Sequence, residues 1–404
     1  WVNGKQIGQH RGGYDPFSFD VSDAIKRRGP NEIIVSVFDA TDASPQSRGK
    51  QVRKPDQGIF YTATTGIWQT PWLEPVSAVH LNSIKITPDV DAGAVAIGLK
   101  ASGASGEVTV KVAILDGLRK VNDGSITVTA DGPGFEISPS IRLPVPKAKL
   151  WSPDSPFLYN VKLTVLHNGK EVDQVASYFG LRKVSLGQDK GVTRIFLNNK
   201  PFFMLGPLDQ GFWPDGLYTA PTDEALRYDI EITKKLGFNM ARKHVKVEPD
   251  RWYYWCDKLG LLVWQDMPSG DKFIRPQDSD IRRTPESAQQ FETELKALID
   301  THYNHPSIVQ WVVFNEGWGQ YDTANMTAWL TGLDKTRLIN SVSGWTDRNV
   351  GHFWDVHAYP GPGAPPLLRS LRHLTSDEPA RHSAGQRRGR AGAAGCSRKR
   401  SADA

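Results

Sequence analysis

The run Ile308-Val309-Gln310-Trp311-Val312-Val313-Phe314 constrains this chain most. Mostly apolar and rich in β-branched types, it predicts a strand buried on both faces, the kind found in parallel α/β sheets. Asn315-Glu316-Gly317-Trp318-Gly319 follows at once. Parallel sheets and barrels carry their chemistry at the C-terminal ends of strands, so Glu316 is a candidate acid or base. Chemistry of that kind usually needs a second carboxylate, and the rest of the chain has to be searched for it.

Around this strand the pattern alternates between strand and helix, the mark of βα units. Thr222 is an N-cap, Asp223 and Glu224 suit a first turn, Lys234 and Lys235 a last turn, and Gly237 a stop. A second helix starts at Pro249 and stops at Gly260, and a long one runs from about 285 to 303. Six strands are predicted, at 203–206, 238–242, 261–265, 308–314, 338–341 and 354–358. The natural reading is a (β/α)8 TIM barrel over 185–366 that lacks strands seven and eight. From Pro360 to Ala404 there is no Phe, Trp or Tyr, whereas residues 1–359 hold all 40 of them, so the end of the chain lacks the apolar content of a core. Residues 367–404 are predicted to be a disordered basic tail.

Residues 1 to about 184 read differently. Short alternating runs such as Glu32-Ile33-Ile34-Val35-Ser36-Val37-Phe38 and Val108-Thr109-Val110-Lys111-Val112-Ala113-Ile114 are broken by Gly, Pro, Asn and Asp, which predicts β-sandwiches. A dense aromatic block, Gly66-Ile67-Trp68-Gln69-Thr70-Pro71-Trp72-Leu73-Glu74, precedes a fresh series of strands, so the division falls at 76/77. Trp68, Trp72 and Trp151 are expected in sandwich cores. Trp1-Val2-Asn3-Gly4-Lys5 reads as a strand entering a turn, which suggests that the recorded start interrupts a domain and hides any signal peptide. The compartment is left open, with periplasmic or secreted placement fitting the reading.

The formal charge of +5 and pI near 9.0 raise a nucleic-acid hypothesis. Residues 367–404 hold eight Arg and one Lys against Asp377, Glu378 and Asp403, a net +6, which leaves −1 for the other 366 residues. The body has no basic excess, so no nucleic-acid partner is expected. The tail reads either as a basic arm or, the reading preferred here, as a shifted frame of GC-rich DNA. Two cysteines, Cys256 and Cys396, imply neither a disulfide framework nor a zinc site. No apolar stretch approaches the roughly 18 residues of a membrane span, so no membrane partner is expected.

The predicted strand ends collect residue types that handle sugars: Asp209, Gln210 and Trp213; Arg242, His244 and Lys246; Asp266; Asn315, Glu316 and Trp318; Trp345 and Asp347; His357 and Tyr359. Carboxylates, amides and cations match hydroxyl groups, and indoles match the apolar face of a pyranose. Here the chain resembles glycoside hydrolase family 2, the β-galactosidase, β-glucuronidase and β-mannosidase family. Trp1-Val2-Asn3-Gly4-Lys5, Gly12-Gly13-Tyr14-Asp15-Pro16-Phe17 and the 66–74 block look like the second half of its sugar-binding jelly roll. Asn239-Met240-Ala241-Arg242-Lys243-His244 resembles its Arg-containing second barrel strand, and Phe314-Asn315-Glu316 its acid/base motif. The resemblance implies a partial jelly roll over 1–76, an immunoglobulin-like sandwich over 77–184 and the incomplete barrel, in a fragment truncated at both ends.

It further implies a retaining double displacement on an oligosaccharide or other glycoside, with Glu316 as general acid/base and a second Glu about 5 Å away as nucleophile. Asn315 would bond the sugar 2-hydroxyl and Arg242 would sit beside the nucleophile; His244, Asp266, Trp318, His357 and Tyr359 would line the sugar site. The family's Gly-Glu-Phe-Gly-like nucleophile segment does not follow Tyr359. Glu378, the only later Glu, has no apolar strand before it, so this copy is expected to be inactive. No cofactor or metal is expected, and a homo-oligomer stays open. The competing reading is a non-catalytic carbohydrate-binding or scaffold protein. Neither the sugar nor the oligomeric state can be read from the residues.

Overall fold

The computed structural model describes residues 1–359 apart from 56, 57, 104, 131, 133 and 134. The expectations for strands seven and eight, for Glu378 and for a disordered tail lie outside these residues.

The N-terminal 76 residues depart most from expectation. Two short strands, β1 (Gln51–Val52) and β2 (Tyr61–Thr62), pair in parallel, and a single bridge joins Val2 to Ile33. The predicted strand at 32–38 forms no sheet, and Ile33 and Phe38 are 71% and 94% exposed. An alternating pattern is buried only when a second layer covers it, and among the described residues none covers this one. The expected jelly-roll sandwich is therefore not formed here. Trp72, expected in its core, is 78% exposed. Trp68 instead stacks obliquely on Tyr218 of the α/β region, its indole N–H donating to the Gly13 carbonyl at 2.8 Å.

The next region is a two-layer sandwich, as the alternation predicts. One sheet contains β3 (His80–Asp89), β4 (Ala94–Gly103), β7 (Phe135–Ile137) and β8 (Ser140–Pro144); both β7 and β8 pair with β4. The other has the order β12-β11-β5-β6, from β5 (Gly106–Asp116), β6 (Arg119–Ala130), β11 (Tyr159–His167) and β12 (Lys170–Phe179). Val108, Val110, Val112 and Ile114 of β5 point inward with Val161, Leu163 and Val165 of β11, against Val95, Ile97 and Leu99 of β4. Between β8 and β11 lies a small hairpin of β9 (Trp151–Ser152) and β10 (Ser155–Pro156). Trp151 is fully buried, but in a cluster with Leu262 and Val309 of the α/β region rather than in the sandwich core.

A three-stranded antiparallel sheet follows: β13 (Val184–Asp189), β14 (Val192–Leu197) and β15 (Lys200–Pro201). Its tight turn runs through Asn198 and Asn199, an Asn-Asn pair between two apolar runs; both are left-handed at φ 53° and 64°, a conformation asparagine tolerates better than most residues.

The chain then builds β16 (Leu208–Asp209), α1 (Asp223–Lys235), β17 (Met240–Lys243), α2 (Asp250–Leu259), β18 (Leu262–Asp266), α3 (Pro285–His302), β19 (Ile308–Asn315), α4 (Thr323–Leu333) and β20 (Leu338–Ser343). The five strands are parallel and adjacent in sequence order, so every C-terminal end opens on one side. Caps stop the helices where the sequence says. The Thr222 hydroxyl accepts from the Ala225 N–H at 3.1 Å, and Gly260 ends α2 at φ 81° with the Pro153 carbonyl where a Cβ would stand.

Two strands differ from prediction. The first was expected at 203–206, yet the ladder begins at Leu208, because Pro207 has no N–H and the Asn239 side chain takes the Leu205 N–H instead. The sixth, at 354–358, does not form. Asp355 and His357 turn inward to polar partners, while Trp354 and Val356 stay exposed, their apolar face uncovered among the described residues. A closed barrel is thus not formed by the described strands.

Candidate active site

All eight residues of β19 are buried, and the strand ends by turning sharply. Glu316 adopts a left-handed backbone, φ 53°, and its N–H bonds the Ser343 carbonyl of β20 at 2.8 Å. That turn lifts the carboxylate off the sheet and into the mouth. His357 Nδ1 lies 2.7 Å from Glu316 Oε1, the Tyr359 hydroxyl donates to the same oxygen at 3.2 Å, and the Asn315 amide donates to Oε2 at 3.3 Å.

Arg242, at the end of β17, grips Asp266 of β18 with two parallel bonds of 2.9 and 2.8 Å. The same guanidinium donates to Asn315 Oδ1 at 2.8 Å, which fixes the amide with its oxygen on Arg242 and its nitrogen toward Glu316. His244 Nδ1 and the Val245 N–H also reach Asp266, at 3.0 and 3.2 Å. Behind His357, Ser343 and Arg242 approach Nε2 at 2.8 and 3.3 Å, and Asp355 is held by Asn340 and Ser343.

Charges follow this wiring. Burial alone would raise the Glu316 carboxyl, but the hydrogen bond and charge of His357, the Tyr359 hydroxyl and His244 outweigh it and hold the group below its ordinary value. Burial also opposes ionisation of Asp266, and the Arg242 charge with the His244 bond lowers it nonetheless. Burial pushes His244 down.

Of the sequence-predicted site residues, Arg242, His244, Asp266, Asn315, Glu316, His357 and Tyr359 form one hydrogen-bonded network. Trp318 stands in the same mouth by packing, with its ring 5.3 Å from Phe273 and 6.3 Å from Phe60. Asp209 and Lys246 are drawn off instead: Asp209 pairs with Lys243, while Lys246 bonds Glu248 and the Tyr218 carbonyl. Trp345 meets the His357 ring edge to face at 5.9 Å. His244 and His357 do not combine with Asp266 as a metal-ligand group. Among the described residues, Asp250, His302 and His305 bring potential ligand atoms within 4.8 Å of one another, at the start of α2 and the end of α3.

The sequence reading missed Arg48, Lys50 and Phe60, which line the cleft with His244, Asn315, Glu316 and Trp318. Their segment is pinned to the strand-end loops. Arg48 N–H and Gly49 N–H both bond the Ser269 carbonyl at 2.8 Å, and Ser47 bridges Gly270. A Cβ on Gly49 would stand 2.2 Å from the Val245 carbonyl, so only glycine permits this approach. No local periodicity announces a contact between residues 50 and 316; the glycine was the one signal, and it does not say what it touches.

The chain thus combines a β-sandwich with a parallel α/β sheet that carries a carboxylate and an Arg–Asp pair at its strand ends. Two family models match the chain, "Glycosyl hydrolases family 2" over residues 79–182 and "Glycosyl hydrolases family 2, TIM barrel domain" over 190–359, together about two thirds of it. The chain belongs to glycoside hydrolase family 2. It is 27% identical over 330 residues to a β-glucuronidase of Bacteroides fragilis, covering 78% of this chain and 45% of that protein. It is 26% identical over 355 residues to a β-galactosidase of Streptococcus thermophilus, covering 84% and 32%. The crystal structure of Bacteroides uniformis β-glucuronidase superposes with a TM-score of 0.71 at 25% identity, over 84% of this chain and 42% of that one. The chain spans less than half the length of the curated relatives it matches.

Proposed function

We propose that this chain carries the acid/base half of a retaining β-glycosidase site. The observation that carries the reading is Glu316, presented by the end of a buried parallel strand and held by His357, Tyr359 and Asn315 beside the Arg242–Asp266 pair. In the double displacement Glu316 protonates the departing glycosidic oxygen and later takes a proton from the attacking water. Asn315 offers its amide to the sugar 2-hydroxyl, and Trp318 packs on the ring. The enclosed part of the cleft is about 30 Å³, room for roughly one water, so the ring lies in the open mouth above it.

The nucleophile has to be a further carboxylate. Asp266 is bound by Arg242 and His244, and Asp355 by Asn340 and Ser343, so neither is free to attack. Without a like charge beside it, Glu316 stays below its ordinary value and rests as a base rather than an acid. Among the described residues the acid/base thus has no free second carboxylate beside it, and on this reading the chain binds β-glycosides without turning them over. The domain reading goes with this: 1–76 from the sugar-binding module, 77–184 an immunoglobulin-like sandwich, and 185–366 part of a catalytic barrel.

The test is to give the purified chain 4-nitrophenyl β-glycosides and their non-hydrolysable thio analogues, with Glu316→Gln alongside. The expected outcome is binding without turnover. Turnover abolished in Glu316→Gln would keep Glu316 as the acid/base but overturn the inactivity of this chain. Absence of thioglycoside binding would overturn the sugar site itself.

A further inference from the structure

We propose that Lys50, supported by Arg48, is the residue that reads an anionic substituent on the sugar, a carboxylate or a sulfate ester, in the Glu316 mouth. This rests on the glycoside-binding reading above and adds the class of sugar.

The placement is built. The backbone on either side of Lys50 is fixed: its own carbonyl accepts the Tyr61 N–H at 3.0 Å, and the preceding Gly49 is locked against Val245 and Ser269. The lysine side chain starts from a set point and lines the same cleft as His244, Asn315, Glu316 and Trp318. Arg48 lines it too, its guanidinium 5.6 Å from the centre of the Trp318 ring and 5.9 Å from that of Phe60. Both cations therefore come from the N-terminal region and face the end of β19 from across the mouth.

Lys50 is half-buried, and among the described residues it forms no ion pair, whereas Arg242, Lys243 and Lys246 at the strand ends are each paired with a carboxylate. Burial pushes its ammonium below the ordinary lysine value; the Glu316 charge opposes this and the Arg242 charge adds to it. Deeper in the site Arg242 answers to Asp266 and Asp355, while on the cleft wall the two cations Arg48 and Lys50 face the single carboxylate of Glu316. A neutral hexose brings nothing to balance them. A hexuronate or sulfated hexose brings one negative charge, and an ammonium partly removed from water binds it strongly.

The competing role for Lys50 is to act on Glu316 alone, and binding of matched ligands separates the two. Phenyl thio-β-glucuronide, phenyl thio-β-glucoside 6-sulfate and phenyl thio-β-glucoside would be titrated into the 404-residue chain by calorimetry. The expected result is that at least one anionic ligand binds ~10-fold or more tighter than the neutral one, the scale of one charge-assisted hydrogen bond. The comparison of the two anions tells carboxylate from sulfate. Raising the salt from about 20 mM to about 0.5 M shrinks the advantage. Lys50→Met collapses the anion-to-neutral ratio toward one, and Lys50→Arg retains most of it; unchanged melting temperatures show that both variants fold. Equal binding of all three ligands by the unaltered chain overturns this inference and leaves the glycoside site standing. Equal weakening of all ligands in Lys50→Met also overturns it, in favour of an effect through Glu316. No binding of any ligand overturns both readings.

Discussion

Glu316 sits on a left-handed backbone between Asn315 and Gly317, a conformation costing a non-glycine residue roughly 1–2 kcal/mol. The hydrogen bonds from His357, Tyr359 and Asn315 hold it there. Those contacts favour the ionised form, so the group's folded value lies below its unfolded one, near about 4.3. A depressed carboxyl adds stability that is complete above the unfolded value and lost as pH falls through the folded one. Urea unfolding at pH 7 and at successively lower pH, for the parent and Glu316→Gln, is expected to show a stability difference that narrows on acidification. A difference that grows as pH falls would contradict the wiring. The Asn315–Glu316 pair and its strand were legible because a fully buried strand leaves an unbroken apolar run. Lys50 was not, because its contact with the mouth depends on a chain reversal over more than two hundred residues.

At the scale of elements, local chemistry decided what the sequence could reveal. Thr222, Gly260 and the Asn198-Asn199 turn were readable because capping and left-handed turns involve a few neighbouring residues. The apolar runs at 32–38 and 354–358 have the composition of strands, but a strand needs a partner to bond and a layer to bury it. The described residues give the first run one bridge, from Ile33 to Val2, and cover neither with a layer, so both lie open. The segment from Ser47 to Lys50 is the reverse case, an irregular stretch fixed by close approach. Gly49→Ala would place a Cβ against the Val245 carbonyl at a backbone φ of 60°, so we expect a loss of about 1–3 kcal/mol in unfolding experiments. Thioglycoside binding should weaken with it, because Arg48 and Lys50 are displaced. Unchanged binding in Gly49→Ala would mean that the N-terminal segment does not complete the mouth.

Across the whole molecule, sandwich and α/β region are tied by polar contacts as well as apolar ones. The Trp151 indole donates to the Asp257 carbonyl of α2, Asn304 exchanges bonds with Ile84 and Ile86 of β3, and Arg182 reaches the carbonyls of Pro306, Ile308 and Thr336. Arg182 is buried, and desolvation lowers its guanidinium to about 9. Removing either region would leave such groups buried without partners, so the two are expected to open together.

That coupling gives the complete burial of β19 a measurable meaning. Paired to β18 on one side and β20 on the other, the strand offers its amide hydrogens no local route to water. In heavy water its amides should exchange only through global opening, at the same free energy as those of β11 in the sandwich. Faster exchange in β19 than in β11 would show that the two regions open separately. With matched protection, the amide of Val312 becomes a gauge of the whole fold, placed four residues along the strand from the carboxylate that the fold presents.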